Sequence, residues 1–481
     1  MGAGIARVAA TAGHPVLLFD TRAGAAAAAL TVTRSDLDRQ VERGKLSRAD
    51  ADATAGRIAV VDALVELAPA RLVIEAIVED RAAKIALFRE LEGIVAESAL
   101  LATNTSSISV TAIAGGLRRP ERCVGMHFFN PAPVMKLVEI VRPLAASPAA
   151  VDTVVRTAEA WGKRALIVPS TPGFVVNRVA RPFYAEALRT LAAPAEPADI
   201  DAALTEAGGF RMGPFALMDL IGNDVNFAVT RSVFEAFAYE RRFAPSLAQE
   251  ALVDAGRFGR KTGRGFYDYS PEATMPTPRD APAGPAPACV VAHGDLGPAS
   301  ALLDAAETNG IAVQRSEGRE PYLDVDGVAL RLTDGSLAAE HGARPTVLFD
   351  LALDYAACAR IVISAAPGNE AALASAAGFL QRLGKRVSIL PDFPGLVVMR
   401  TVAALANEAA SMLSEGVSAE AIDLGMTLGT NYPLGPLAWA ERIGWERVLR
   451  VLEHASRLLG AERYQPALAV RGFALARTSA A

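Results

Sequence analysis

Apolar residues recur at helical spacing at the start of the chain, at Ile5, Val8, Ala9 and Ala12. Gly13-His14-Pro15 stops this helix, and Val16-Leu17-Leu18-Phe19 reads as a short buried strand ending at Asp20. A charged helical stretch follows over about 33–55. Leu72-Val73-Ile74 reads as a strand, Glu79-Asp80 opens a helix that runs to about Glu97, and Leu100-Leu101-Ala102 is another strand. Strands alternating with helices predict a parallel sheet covered on both faces. Two more strands, Cys123–Phe128 and Lys136–Val141, flank Asn130-Pro131-Ala132-Pro133. From about 170 the pattern turns helical as far as Phe258, and Gly263-Arg264-Gly265-Phe266-Tyr267 closes the block. Strand-like runs return at Cys289-Val290-Val291, Thr346–Phe349 and Arg360–Ile363, and a second helical block begins near 392.

The later half repeats the earlier one. Pro172-Gly173-Phe174-Val175-Val176-Asn177-Arg178 matches Pro394-Gly395-Leu396-Val397-Val398-Met399-Arg400 at an offset of 222. Gly162-Lys163 matches Gly384-Lys385, Asp201 matches Asp423, and Gly213-Pro214 matches Gly435-Pro436 at the same offset. An ungapped offset over some fifty residues predicts a duplicated pair of units. The expected division is an α/β unit at 1–168, a helical unit at 169–275, a Pro-rich linker at 276–288, a degenerate α/β unit at 289–390 and a second helical copy at 391–481.

Composition narrows the class. The 481 residues carry 48 Lys and Arg against 53 Asp and Glu, a net charge of −5, with no basic tract for nucleic acid. Hydrophobic residues make up 51%, enough for packed cores. No apolar run is long enough to cross a membrane, and nothing at the start reads as an export signal, so a cytoplasmic protein is expected. Cys123, Cys289 and Cys358 lie too far apart to suggest a disulfide framework or a metal site.

Some residues stand out for chemistry. Gly2 and Gly4 open the first helix and Asp20 ends the next strand, as in a dinucleotide fold. There, phosphates sit at a helix N-terminus and a carboxylate takes the ribose hydroxyl. Glycines in a turn and an Asp after a strand are also common without that function. His127, one of five histidines, lies inside an apolar strand. Glu139 shares a strand face with Leu137 and Val141, where an unpaired carboxylate is costly, and a histidine on a neighbouring strand is its natural partner. A carboxylate that fixes one imidazole nitrogen leaves the other as a base near neutral pH. Thr103-Asn104-Thr105-Ser106-Ser107 follows a strand and either lines a ligand crevice or caps the next helix. Asn177 sits one turn into a helix, where asparagine is a poor helix former, and its repeat counterpart is Met399.

Asn104-Thr-Ser-Ser107, His127-Phe-Phe-Asn-Pro131, Met135-Lys-Leu-Val-Glu139, Thr171-Pro-Gly-Phe-Val-Val-Asn177-Arg178 and Lys261-Thr-Gly-Arg-Gly-Phe-Tyr267 resemble motifs of the L-3-hydroxyacyl-CoA dehydrogenases of fatty-acid and phenylacetate breakdown. The resemblance covers residues 1 to about 270, and the tandem second half looks like the long bacterial members of the phenylacetate type. It implies a Rossmann-like doubly wound sheet, an all-helical domain and a diverged copy of the pair. It implies oxidation of a 3-hydroxyacyl-CoA such as 3-hydroxyadipyl-CoA or 3-hydroxybutyryl-CoA, with NAD as cofactor. His127 would be the general base, Glu139 its orienting partner, and Ser106 and Asn177 the holders of the reacting oxygen. Gly2, Asp20, Glu79, Lys84, Ser106, Asn130 and Lys261 would line the cofactor site. Arg39, Arg43 and Lys45 are candidates for the CoA phosphates, and a solvated helical face explains them equally well. The charge of Asp20 favours NAD over NADP, while Arg22 leaves NADP open. The family's dimerisation through helical domains implies association either between chains or with the second copy inside the chain.

The sequence departs from the family pattern in two places. It begins at the last glycine of G-x-G-x-x-G, so the first strand is expected to be missing and the given start to be internal to the reading frame. The second copy has no His-Phe-Phe-Asn-Pro and no Asn at 399, and reads as a structural relic. A sugar or 6-phosphogluconate type dehydrogenase is disfavoured by the His127/Glu139 pair. The rival from another class is a non-catalytic acyl-CoA-binding or scaffold protein.

Overall fold

Short apolar strands separated by amphipathic helices build the first unit, Met1–Asn177 with Leu428–Thr430. The computed structural model describes residues 1–191, 195–318, 320–342 and 344–478. β1 (Val16–Leu18) and β2 (Ile58–Val60) pair in parallel as a two-stranded sheet. β3 (Leu72–Glu75), β4 (Leu100–Thr103), β5 (Cys123–Phe128), β6 (Leu137–Arg142) and β7 (Arg164–Pro169) form a five-stranded sheet in that order.

Period-2 alternation sends the side chains of β5 and β6 to two cores. Val124, Met126, Val138 and Ile140 pack with Ile5, Val8, Val151 and Val154 of the helices Gly2–Thr11 and Pro148–Ala160. Cys123 and Leu101 pack on the opposite face with Phe88, Leu91 and Ile113. Burial pushes the Cys123 thiol up to about 12, in keeping with a small buried hydrophobe.

The all-parallel expectation needs one correction. β5 and β6 are antiparallel, because the link between them is too short to hold a crossover helix. This register sets His127 directly opposite Glu139. The charged stretch is likewise two helices, Ala25–Glu42 and Arg48–Gly56, separated at Gly44, whose φ of 65° suits glycine. The helix after Asp80 spans Arg81–Leu91, shorter than the sequence pattern suggests.

The second unit comprises Arg178–Thr427 and the chain from Asn431 on. Its sheet contains β8 (Cys289–His293), β9 (Ala312–Ser316), β10 (Tyr322–Val325), β11 (Val328–Leu332), β12 (Thr346–Phe349), β13 (Arg360–Ala365) and β14 (Arg386–Ile389). The spatial order is β14-β13-β12-β11-β10-β8-β9. β12 and β13 are antiparallel and β13 and β14 parallel, as β5–β6 and β6–β7 are in the first unit.

The repeat extends to individual bonds. Asp201 accepts from the amides of Phe215 and Ala216 at 3.0 and 2.9 Å, and Asp423 accepts from those of Leu437 and Ala438, both at 2.9 Å. Each pair caps a helix begun by Pro214 or Pro436, and a Cβ on Gly213 or Gly435 would collide with the capping carboxylate. The helical copies pack about a pseudo-two-fold. Arg178 bonds Glu408 at 2.6 Å and Arg400 bonds Glu186 at 2.7 Å, with both arginines and both glutamates 222 residues apart. All four are buried, so loss of one partner would strand a charge in the interior. Such reciprocity is the mark of an isologous contact, here made within one chain.

Candidate active site

The antiparallel pairing of β5 and β6 brings the imidazole to the carboxylate. His127 Nδ1 lies 2.7 Å from Glu139 Oε2, and both residues are buried. The other carboxylate oxygen, Oε1, accepts from the amides of Val175 and Val176 at 2.9 and 3.0 Å. Glu139 is therefore fixed from two sides. A carboxylate on Nδ1 holds the proton there, and Nε2 remains an acceptor. Nε2 carries no protein hydrogen bond among the described residues. Phe129 and Phe174 flank the ring, with centroids 4.6 and 5.7 Å away.

The same backbone turn carries Asn177. Its Nδ2 donates to the Ser106 carbonyl at 3.4 Å, which joins the Thr103–Ser107 loop to the helix start. Asn104 ties that loop to the histidine strand, its Oδ1 accepting from the Phe128 amide at 2.9 Å. Unbroken contacts thus link His127, Glu139, Val176, Asn177 and Ser106.

Beneath the loop is a polar hub. Glu79 Oε1 accepts from the Ser106 and Ser107 amides at 3.1 and 3.2 Å, from the Ser107 hydroxyl at 2.8 Å and from the Thr105 hydroxyl. Burial opposes charge on Glu79, but the Thr105 and Ser107 hydroxyls and Lys84 outweigh it and hold the carboxyl below its ordinary range. Lys84 is only 1% exposed and divides its ammonium between Glu75, at 2.9 and 3.1 Å, and Glu79, at 3.3 Å. Glu75 also accepts from the Thr103 hydroxyl. Sequence reasoning passed over Glu75, although a carboxylate closing the apolar run Leu72-Val73-Ile74 was a usable signal.

The remaining candidates are dispersed. Gly2 begins the helix Gly2–Thr11. Asp20 is exposed just beyond β1, and the Arg22 amide, 2.9 Å away, holds its carboxyl low. Asn130 is exposed after β5. Arg39, Arg43 and Lys45 are exposed near the end of the helix Ala25–Glu42, where Arg39 pairs with Asp36. Lys261 belongs to the second unit, where it pairs with Asp224 at 2.6 Å and lies over the Phe258 ring.

Comparison with known proteins decides the lineage. The model of the 3-hydroxyacyl-CoA dehydrogenase NAD binding domain matches residues 1–171, and that of the C-terminal domain matches twice, at 173–269 and 395–479. The chain is 44% identical over 480 residues to the 3-hydroxyadipyl-CoA dehydrogenase of Escherichia coli strain K12, covering 99% of this chain and 95% of that protein. The chain belongs to the 3-hydroxyacyl-CoA dehydrogenase family. Residues 330–394 match a reduced Rossmann-fold domain of 3-hydroxybutyryl-CoA dehydrogenase, within the degenerate half. A solved 3-hydroxybutyryl-CoA dehydrogenase of E. coli K12 superposes with a TM-score of 0.89 at 44% identity, covering 100% of this chain and 97% of that one. The 3-hydroxybutyryl-CoA dehydrogenase of Mycobacterium tuberculosis strain H37Rv is 38% identical over 272 residues, 56% of this chain and 95% of that protein. The duplicated C-terminal match agrees with the internal repeat, and the NAD-binding match agrees with the cofactor expected from the motifs.

Proposed function

We propose that the chain oxidises the 3-hydroxyl of a short L-3-hydroxyacyl-CoA, of the 3-hydroxyadipyl or 3-hydroxybutyryl kind, to the 3-oxo form, with His127 as the general base. The observation that carries the assignment is the 2.7 Å contact of His127 Nδ1 with Glu139, a carboxylate anchored on two backbone amides. His127 Nε2 takes the hydroxyl proton, and Glu139 stabilises the imidazolium that results. Asn177 and Ser106 hold the reacting oxygen. The hydrogen bond from Asn177 Nδ2 to the Ser106 carbonyl, at 3.4 Å, keeps the two residues together for this purpose.

The residues present suit a dinucleotide. Asp20 offers an ionised acceptor for ribose hydroxyls, and Gly2 stands at the N-terminus of a ten-residue helix. Glu79 shapes the loop that carries Ser106 and is itself held by Lys84. NAD, when bound, supplies the acceptor for the hydrogen leaving C3. Arg39, Arg43 and Lys45 are proposed contacts for the CoA phosphates and Lys261 a contact for the cofactor.

The test is to follow reduced-cofactor absorbance with 3-hydroxyadipyl-CoA and 3-hydroxybutyryl-CoA and either NAD or NADP. Turnover with NAD is expected. Substrate binding without turnover would replace the enzyme by the non-catalytic acyl-CoA-binding reading.

A further inference from the structure

The second unit contains a cavity of about 150 Å³, well beyond the roughly 10–15 Å³ that holds one water. Four arginines, Arg181, Arg189, Arg242 and Arg463, line it together with Thr230 and Ser246, and no lining residue is an aspartate or glutamate. Arg181 donates to Thr230 at 3.0 Å and stacks on Tyr184. Arg189 donates to the Tyr464 hydroxyl at 2.8 Å, but its Nε is buried without a hydrogen bond. Arg242 has Glu240 and Glu408 at 3.1 and 3.4 Å, both outside the lining. Arg463 makes no ion pair among the described residues. Burial and the neighbouring cations Arg189 and Arg241 push it down to about 10, against the pull of Glu186. Cations gathered in a part-buried hollow repel one another unless an anion compensates them.

The repeat separates this lining from the shared scaffold. Arg178 and Glu186 keep their identities 222 residues on, as Arg400 and Glu408. Arg181, Tyr184 and Arg189 become Ala403, Ala406 and Ser411. The arginines that hold the two helical copies together are kept in both, whereas Arg181 and Arg189 of the cavity lose their charge in the second copy and Arg463 falls opposite Arg241.

We propose that this cavity is a binding site for a small oxyanion, a phosphoryl or carboxylate group, gripped by Arg463 and Arg189. Guanidinium groups match the planar and tetrahedral oxygens of such ligands through paired donors. The inference does not depend on the dehydrogenase chemistry.

Melting of the full chain, with sodium phosphate, adipate, coenzyme A or chloride at matched ionic strength, tests it. Saturable stabilisation by phosphate or adipate, beyond that of chloride, is expected. Phosphate and coenzyme A acting without adipate would assign a phosphoryl ligand, adipate alone a carboxylate, and all three the shared chemistry. Arg463→Gln should raise the half-saturating concentration about tenfold, and Arg463→Lys, which keeps charge but loses the fork, should fall between. No stabilisation beyond chloride overturns the proposal. So does an unchanged half-saturating concentration in both variants. If Arg463→Gln fails to fold, Arg463→Lys alone decides.

Discussion

The two copies build the same strand pair for different ends. In the first, β5 and β6 set His127 opposite Glu139; in the second, β12 and β13 set Phe349 opposite Ile363. Both copies then present a turn whose backbone amides need an acceptor, at Val175–Val176 and at Val397–Val398. In the first, Glu139 supplies it from the middle of β6, with one oxygen on the amides and the other on His127. In the second, Asp350 supplies it from just beyond β12, accepting from Val397 and Val398 at 2.9 and 2.7 Å. Its other oxygen takes the amides of Met399 and Leu351 at 2.9 and 2.8 Å. Both copies therefore cap the turn with a carboxylate, and in the proposed reaction it is the imidazole of the first that converts the cap into chemistry. The second copy caps its turn from just beyond β12, and Phe349 stands at the position that the offset pairs with His127.

The sharpest way to break this comparison is to give the first copy the second copy's lack of a base. His127→Ala should lower kcat by a factor of about 10²–10⁴, the usual worth of a general base, with little change in Tm. Steady-state kinetics with a melting curve reads both, and near-normal turnover would remove His127 from the reaction. Glu139→Gln follows, with a loss of about 10². The amide oxygen of the glutamine is drawn to Val175 and Val176, so its NH2 group faces Nδ1. That forces the proton onto Nε2, where it blocks proton uptake. If Glu139→Gln affected only stability, the pair would be structural in both copies.

The matching change in the relic should leave chemistry alone. Both oxygens of Asp350 already accept from backbone amides, so Asp350→Asn turns an NH2 group against buried donors and should cost about 1–3 kcal/mol. Denaturant unfolding measures that loss, and kcat per folded molecule should not change. Gly213→Ala and Gly435→Ala probe the part of the repeat that both copies retain. An added Cβ would stand about 2.2 Å from the Asp201 carboxylate carbon or 2.1 Å from that of Asp423, so both variants should lose comparable stability. Loss in one copy alone would show that the caps have diverged too.

These cases also show what the sequence could and could not reveal. Glu139 was legible because it interrupts an apolar face, and His127 because a histidine lay one strand away. The duplication was legible because 222 is kept through glycines and aspartates whose roles are geometric, as Gly213 and Asp201 demonstrate. Asp350 was not legible, since its duty is filled from a position that the offset pairs with Phe128. The Glu75–Lys84–Glu79 hub was missed because it depends on the end of β3, a helix and a distant loop converging in space. Resemblance placed Lys84 at the cofactor, and the structure shows its ammonium occupied beneath the Ser106 loop.

The smallest expected effect is one of pH, and it contrasts carboxylates rather than copies. Burial pushes Asp350 up to about 6 against the amides of Met399, Val398, Val397 and Leu351. Burial likewise pushes Asp201 up to about 6 against Phe215, Ala216 and Tyr267, with Asp219 adding to the rise. An unfolded aspartate titrates near 3.9. Between about pH 4 and 6 the native chain therefore holds protons on these two groups that the unfolded chain has released. Their contribution to stability falls as pH rises through that window and is level above it. Glu79 has the opposite sign. Its carboxyl is held below the ordinary value, so its contribution is present above the unfolded value and lost as pH falls through the folded one. Carbon-13 carboxyl resonances of labelled aspartate read the groups separately. Asp350 and Asp201 should titrate near 6 and Asp20, lowered by the Arg22 amide, below the ordinary range. An Asp350 midpoint at or below that of an unfolded aspartate would show that its amide donors outweigh burial, making the cap of the relic an ionised carboxylate throughout this range.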